Sequence, residues 1–270
     1  MISTLLSICS PKRFTRLTAM AVLLTTAVCV HPLQAAKRPD ARLPFAPGER
    51  LTFDLTWSAI PAGQAVMEVL PMKTINGEPA YHFRLTAESN PFVDVFYKVR
   101  DRIDSFAAAD MSRTVHYLQK KHEGSTRRNV KVEFDWDKAT ARYTDDKKIR
   151  KPIDIKPGTF DPLSAFYYSR TLDLKENRVM MSPVTDGRKC VQGMARIIGR
   201  ETISVPGGTY DTFVIEPDLK HVSGVFEKKK GARITIWVTA DERRLPVKIA
   251  SQVAIGSFVG ELVAVEHGML

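Results

Sequence analysis

The chain has 270 residues, with 40 Lys and Arg against 30 Asp and Glu, and only three cysteines. A formal charge of +10 suits a protein that meets acidic surfaces, and so few cysteines exclude a scaffold built on disulfides.

The first 35 residues read as a secretory signal peptide. Lys12, Arg13 and Arg16 make a basic start, Leu17 to Val30 is an apolar stretch too short to span a bilayer comfortably, and Leu33-Gln34-Ala35-Ala36 offers small residues for cleavage. The alternative is an uncleaved anchor. Thr26-Ala27-Val28-Cys29 faintly resembles a lipoprotein box, but Val28 is bulky just before the cysteine. Cleavage leaves 37 Lys and Arg against 30 Asp and Glu, and leaves Cys190 without a partner for an internal disulfide. These features point to a bacterial periplasmic protein. No later apolar run reaches the roughly 18 residues that mark a transmembrane helix, so membrane contact is peripheral at most.

Residues 36–48 are rich in proline and charge and read as a flexible lead-in to a single β domain over 49–267. Leu51, Phe53 and Leu55 alternate with Thr52, Asp54 and Thr56, the period-two pattern of a strand with two unlike faces. Pro61-Ala62-Gly63 predicts a turn before a strand over 64–72. Asn76-Gly77 is a strong hairpin signal leading into a strand over 80–89. Asn90-Pro91 predicts a short helical turn over 92–96, because Asn caps well and Pro fits the first helical position. Strands are expected over 97–106, 112–122, 126–136 and 139–144, with turns at Gly124-Ser125 and Asp135 to Lys138. Residues 145–151 read as a charged loop.

Asp161-Pro162 repeats the cap-and-proline signal and predicts a helix over 162–170, with Leu163, Phe166, Tyr167 and Arg170 on one face. Strands follow over 177–184, 190–205 and 210–217, with Pro206-Gly207 in a tight turn. The run from Arg233 to Val265 reads as three consecutive antiparallel strands and as the centre of the sheet. The expected fold is all-β: a strongly curved antiparallel sheet, or open half-barrel, of roughly ten to twelve strands with one plugging helix.

Four segments together resemble a family of exported bacterial proteins known as domain of unknown function 3108. They are Phe45-Ala46-Pro47-Gly48-Glu49-Arg50-Leu51, Asp161-Pro162-Leu163-Ser164-Ala165-Phe166-Tyr167, the run from Glu201 to Tyr210, and the run from Ile236 to Val247. The resemblance spans nearly all of the chain after the signal and implies no catalytic residues. The Trp237 strand with its charged turn and Leu245-Pro246-Val247-Lys248 return is also similar to the end of periplasmic lipoprotein carriers. That likeness implies an open barrel around a helix that binds acyl chains.

Enzyme signatures are lacking. His82, His116, His122, His221 and His267 are scattered, with no metal-ligand spacing, no paired-cysteine motif and no nucleophile elbow. No cofactor or metal is expected. Cys190 reads either as a small buried apolar residue or as a reactive thiol. Leu163, Phe166 and Tyr167 read either as core or as the lid of an apolar ligand cavity, and Trp237 is the further ligand-lining candidate. Lys228, Lys229 and Lys230 are candidates for an acidic headgroup, as part of a set of basic clusters at Lys120-Lys121, Arg127-Arg128 and 147–151. Nucleic acid is not an expected partner for an exported chain. The sequence therefore suggests a non-catalytic binder of a lipid-like or amphipathic ligand in the cell envelope. The alternative is an interaction module for an envelope protein or glycan, without an internal cavity.

Overall fold

A computed structural model of the protein describes residues 43–218, 233–252 and 257–267. It contains fifteen strands and two short helices among those residues. In chain order these are β1 (Arg50–Trp57), β2 (Ile60–Ile75), β3 (Glu78–Ser89), α1 (Pro91–Tyr97), β4 (Arg100–Ala108), β5 (Thr114–Glu123), β6 (Thr126–Asp135), β7 (Thr140–Asp145), β8 (Lys148–Ile149) and β9 (Ile153–Asp154). Then come α2 (Pro162–Arg170), β10 (Val179–Thr185), β11 (Cys190–Val205), β12 (Gly208–Pro217), β13 (Arg233–Thr239), β14 (Pro246–Gln252) and β15 (Ser257–Glu266).

All the strands join one antiparallel sheet, in the order β10-β11-β12-β13-β14-β15-β1-β2-β3-β4-β5-β6-β7-β8, with β9 on β7. This is the chain order opened at one place, so nearly every strand pairs with its neighbour in sequence. Besides β9 on β7, one pairing departs from this and closes the two halves: β1 pairs with β15, Leu51 opposite Val265 and Trp57 opposite Phe258. The ladder is not closed. Its two outer ends, β10 and the β7–β9 group, are separated by the crossover that contains α2.

The sheet nonetheless curls until those ends meet through side chains. Gly187, in the β10–β11 turn, lies against Val132 of β6 and Tyr143 of β7. A Cβ there would stand 2.7 Å from Val132 Cγ2, and the backbone φ of 81° also favours glycine. The crossover itself stitches the gap. Thr114 of β5 donates its backbone N–H to the Thr159 carbonyl at 3.1 Å, and Phe160 exchanges backbone bonds with Pro183 and Thr185 at 2.9 Å each. At the other side, Gly207 N–H reaches the Leu262 carbonyl at 2.8 Å and folds the β11–β12 tip onto β15.

The core follows the concave face. Leu51, Phe53, Met67, Val69, Phe83, Leu245, Val247 and Leu262 surround Phe45, Leu163 and Tyr167 in the largest cluster. A second cluster holds Leu172, Met180, Ile197, Phe213, Ile215 and Val238, and a third lines β5 to β7 around Val132 and Tyr143. Alternation along most strands produces this one-sided burial, while β4 is buried on both faces from Asp104 to Ala108 and its Phe106 joins Ala80, Ala108 and Val115 in a fourth, smaller cluster.

Most boundaries agree with the sequence pattern, and four readings need correction. The first reversal lies at Ser58-Ala59, with φ of 47° and 67°, so Pro61 to Gly63 belong to β2. The charged stretch 145–151 is not all loop, because Lys148–Ile149 pairs with β7. The 233–265 meander is real, but it lies to one side of the strand order, and the middle belongs to β15, β1 and β2. The count of fifteen also exceeds the roughly ten to twelve expected strands.

Candidate functional site

The site is built around α2. Asp161 takes the N-cap position, and its Oδ1 accepts the backbone N–H of Leu163 at 2.9 Å and of Ser164 at 3.2 Å. Its Oδ2 accepts Ser105 Oγ of β4 at 2.6 Å and Thr114 Oγ1 of β5 at 2.7 Å. One carboxylate therefore caps the helix and ties it to two strands. Pro162 supplies no N–H where none is needed.

The other end is held by Arg170, whose side chain is fully buried. Its guanidinium makes a two-pronged bond to Glu49, Nη1–Oε1 at 2.6 Å and Nη2–Oε2 at 2.9 Å. Nη2 also donates to the carbonyls of Pro44 and Arg243 at 3.0 Å each. The plane lies 5.3 Å from the Phe45 ring centre and 5.4 Å from that of Tyr167. Tyr167 stacks on Phe83 with centroids 3.8 Å apart, and burial pushes its hydroxyl pKa up. Leu163, Ser164, Tyr167 and Arg170 form the buried face of α2.

The opposite face of α2 is open. Pro162, Ala165, Phe166, Tyr168 and Ser169 roof a cleft of about 340 Å³, floored by residues of β10 to β13. The floor is almost wholly apolar: Met180, Met181, Val184, Val191, Ile215 and Ile236 are among its side chains. Three methionines there, Met180, Met181 and Met194, give an adaptable surface. Polar groups sit sparsely among them. Ser169 Oγ is turned back to the Phe166 carbonyl at 2.7 Å, and Tyr168 stacks on Phe160 with its hydroxyl pKa raised by burial.

The sequence candidates divide across this geometry. Phe166 lines the cleft while also packing against the main core, so it sits at the border of the two faces. Leu163 and Tyr167 point the other way, into the core. Trp237 is half-buried on the face of β13 opposite to Ile234 and Ile236, which line the cleft; its Nε1 donates to Glu201, and Lys248 Nζ lies 5.8 Å from its ring centre. Lys228, Lys229 and Lys230 lie outside the described residues. Cys190 is half-buried beside the β5–β7 cluster, with Sγ 3.6 Å from Thr159 Oγ1. The cleft floor escaped the sequence reading because its residues come from four strands, none with an unusual local pattern.

A second polar cluster lies on the convex face. Asp104 receives Arg102 Nε at 2.6 Å, His82 Nε2 at 2.7 Å and Arg84 Nε at 2.9 Å. Burial alone would raise the Asp104 pKa, but these three partners outweigh it and hold the carboxyl at about 2. Burial lowers the His82 pKa, and because the Asp104 carboxylate can only accept, Nε2 is the ring nitrogen that donates to it. Among the described residues no group of three or more His, Cys, Asp or Glu side chains could hold a metal ion.

Fold and site together define an antiparallel, β-barrel-like sheet that is not closed, with a helix roofing an apolar cleft at its seam. The chain belongs to a family described as proteins of unknown function, DUF3108, whose model matches residues 52–263. Among solved structures it is similar to a β-barrel-like protein of domain of unknown function DUF1849 from Brucella abortus, at 12% identity and a TM-score of 0.53, covering 85% of this chain and 100% of that one. A candidate lipoprotein from Parabacteroides distasonis matches at 12% identity and a TM-score of 0.37, covering 84% of this chain and 100% of that one. The first of these likenesses supports the fold. No curated protein matches the chain.

Proposed function

We propose that the protein is an exported, non-catalytic binder that takes a single apolar chain, such as the acyl chain of a lipid-like ligand, into the cleft between α2 and β10–β13. The observation that carries this reading is the cleft itself. Its 340 Å³ falls at the lower end of the roughly 300–1,000 Å³ typical of small-molecule sites, and its lining is apolar with few polar groups. Each methylene moved from water into such a site contributes about 0.8 kcal/mol. A short alkyl segment therefore gains useful affinity from burial alone. Export is supported by the basic, apolar and small-residue succession in residues 1–35.

The test is titration of the protein with dodecanoic acid, followed by displacement of a fluorescent fatty-acid probe. Ala165→Phe fills the cleft from the helix side, where Ala165 is only partly buried. It is expected to weaken binding at least roughly tenfold, about 1.4 kcal/mol. The urea midpoint should stay close to that of the parent. Equal binding by parent and variant, or no binding by the parent, overturns the reading.

A further inference from the structure

We propose that the end of the sheet carrying α1 is a docking surface for an anionic membrane. This inference does not depend on the cleft, and either can fail alone. Four elements deliver apolar side chains to this end. β1 finishes at Trp57, β2 begins at Ile60, β15 begins beside Phe258, and α1 joins β3 to β4. Trp57 pairs with both Ile60 and Phe258 in the ladder and stacks on Phe258, with ring centres 6.3 Å apart. The α1 helix is fixed to the same end, because Asn90 N–H reaches the Ala62 carbonyl at 2.9 Å and Asn90 Nδ2 reaches that of Pro61 at 2.8 Å.

α1 buries none of its residues. Phe92 is 64% exposed, and Val95 and Phe96 are each 77% exposed. Tyr97, also exposed, leans on the β5–β6 turn, where a Cβ on Gly124 would stand 2.8 Å from its ring. Scattered exposed apolar residues need no explanation, but a set gathered at one end of the sheet does. Its makeup is that of a bilayer interface: phenylalanines and aliphatic residues for the acyl boundary, with Trp and Tyr rings that suit the headgroup level.

The charge around this end decides the kind of surface. Arg100 answers Asp94, Nη2–Oδ2 at 2.5 Å, and lies 3.7 Å from Glu88, while Lys121 answers Glu123 at 2.8 Å. Lys98 and Arg127 are exposed and make no ion pair within 4.0 Å among the described residues, although Lys98 acts on the Asp94 carboxylate at longer range. Arg127 Nη1 donates to the Gly124 carbonyl at 2.7 Å, which holds it at the very turn that Tyr97 packs against. Burial and the nearby positive charges of Arg127, Lys98 and Arg100 lower the pKa of His122, outweighing the opposing charge of Asp94. An aromatic end with Lys98 and Arg127 exposed at its rim and outside any close ion pair fits anionic lipid headgroups, whose attraction for Lys and Arg acts within a Debye length.

The experiment uses the full chain with Cys9, Cys29 and Cys190 changed to Ser and one new cysteine carrying an environment-sensitive fluorophore. Val95→Cys reports the proposed surface. Lys138→Cys, in the β6–β7 turn at the opposite end of those strands, is the control. On vesicles of phosphatidylcholine and phosphatidylglycerol the probe at 95 should brighten several-fold and shift to the blue, the probe at 138 should not change, and added salt should reverse the effect. The combined Phe92→Asp, Val95→Asp and Phe96→Asp variant should partition at least roughly tenfold more weakly with an unchanged thermal midpoint, since these residues are exposed. Lys98→Glu with Arg127→Glu should remove the preference for anionic over neutral vesicles. A silent probe at 95 overturns the proposal, including the case in which residues 1–35 alone bring the chain to the vesicle. So does unchanged partition of the triple variant. A probe at 95 that is already shielded without lipid, in a chain that sediments as a dimer, would assign the face to a second copy instead.

Discussion

The two helices begin with the same signal and end in opposite environments. Asn90-Pro91 and Asp161-Pro162 each place a side-chain acceptor over the first turn, with cap dihedrals of −74° and 167° against −75° and 166°. Yet α1 buries nothing, whereas α2 buries Leu163, Ser164, Tyr167 and Arg170. The difference lies in what the caps and ends do beyond the helix. Asn90 serves one helical N–H and one β2 carbonyl at the surface. Asp161 uses its second oxygen to hold Ser105 and Thr114, and Arg170 anchors the far end on Glu49. A capping signal fixes where a helix starts. Long-range polar partners decide whether the sheet takes it in. Apolar content does not decide it, since α1 carries Phe92, Val95, Phe96 and Tyr97 and still faces water.

The largest expected effect comes from the buried anchor. Arg170→Ala leaves Glu49 charged and unpaired inside the sheet, and should cost about 3–5 kcal/mol in a urea titration. A loss near zero would show that α2 is held by its apolar face alone. Next come the two caps measured side by side. Asp161→Ala removes a cap and takes a buried acceptor from Thr114 and from Ser105, which keeps only Ser164 Oγ, for an expected loss of about 3 kcal/mol. Asn90→Ala should cost about 1 kcal/mol, the ordinary value of a cap. Equal losses would erase the distinction drawn here. The smallest effect belongs to the exposed helix: Phe96→Ser should change stability by less than about 0.5 kcal/mol, as surface changes do. A larger loss would mean that α1 packs on something in solution.

Much of this contrast was legible locally, and the rest was not. Both cap-and-proline pairs, the Asn76-Gly77 turn, with φ of 51° and 83°, and the strand from Cys190 to Val205 follow from residue chemistry alone. The turn at Ser58-Ala59 does not, because neither residue advertises a positive φ, while Pro61 and Gly63 beside it do suggest a turn. The pairing of β1 with β15 and the bond between Glu49 and Arg170 join residues far apart in the chain, where no periodicity reaches. The site shows the same limit. Spacing put Leu163, Phe166 and Tyr167 on one helix face, but which part of that face meets core and which meets cleft depends on where β10 to β13 curl. Phe166, at the border, is the one of the three that reaches the cleft.

The β1–β15 ladder sets the order in which the molecule can be made. Hairpins between sequence neighbours can form as soon as both strands exist, on a timescale of microseconds. β1 cannot fill its second edge until β15 has been delivered, because Leu51 waits for Val265 and Phe53 for Leu262. A chain that emerges from its N-terminal end therefore carries an open edge in what will become the middle of the sheet for almost the whole time of its synthesis. Such an edge templates pairing with other chains, and joining it across so long a loop is slow. Completion of the fold is thus an event of the finished polypeptide, and the interval before it is when a holding chaperone has most to protect.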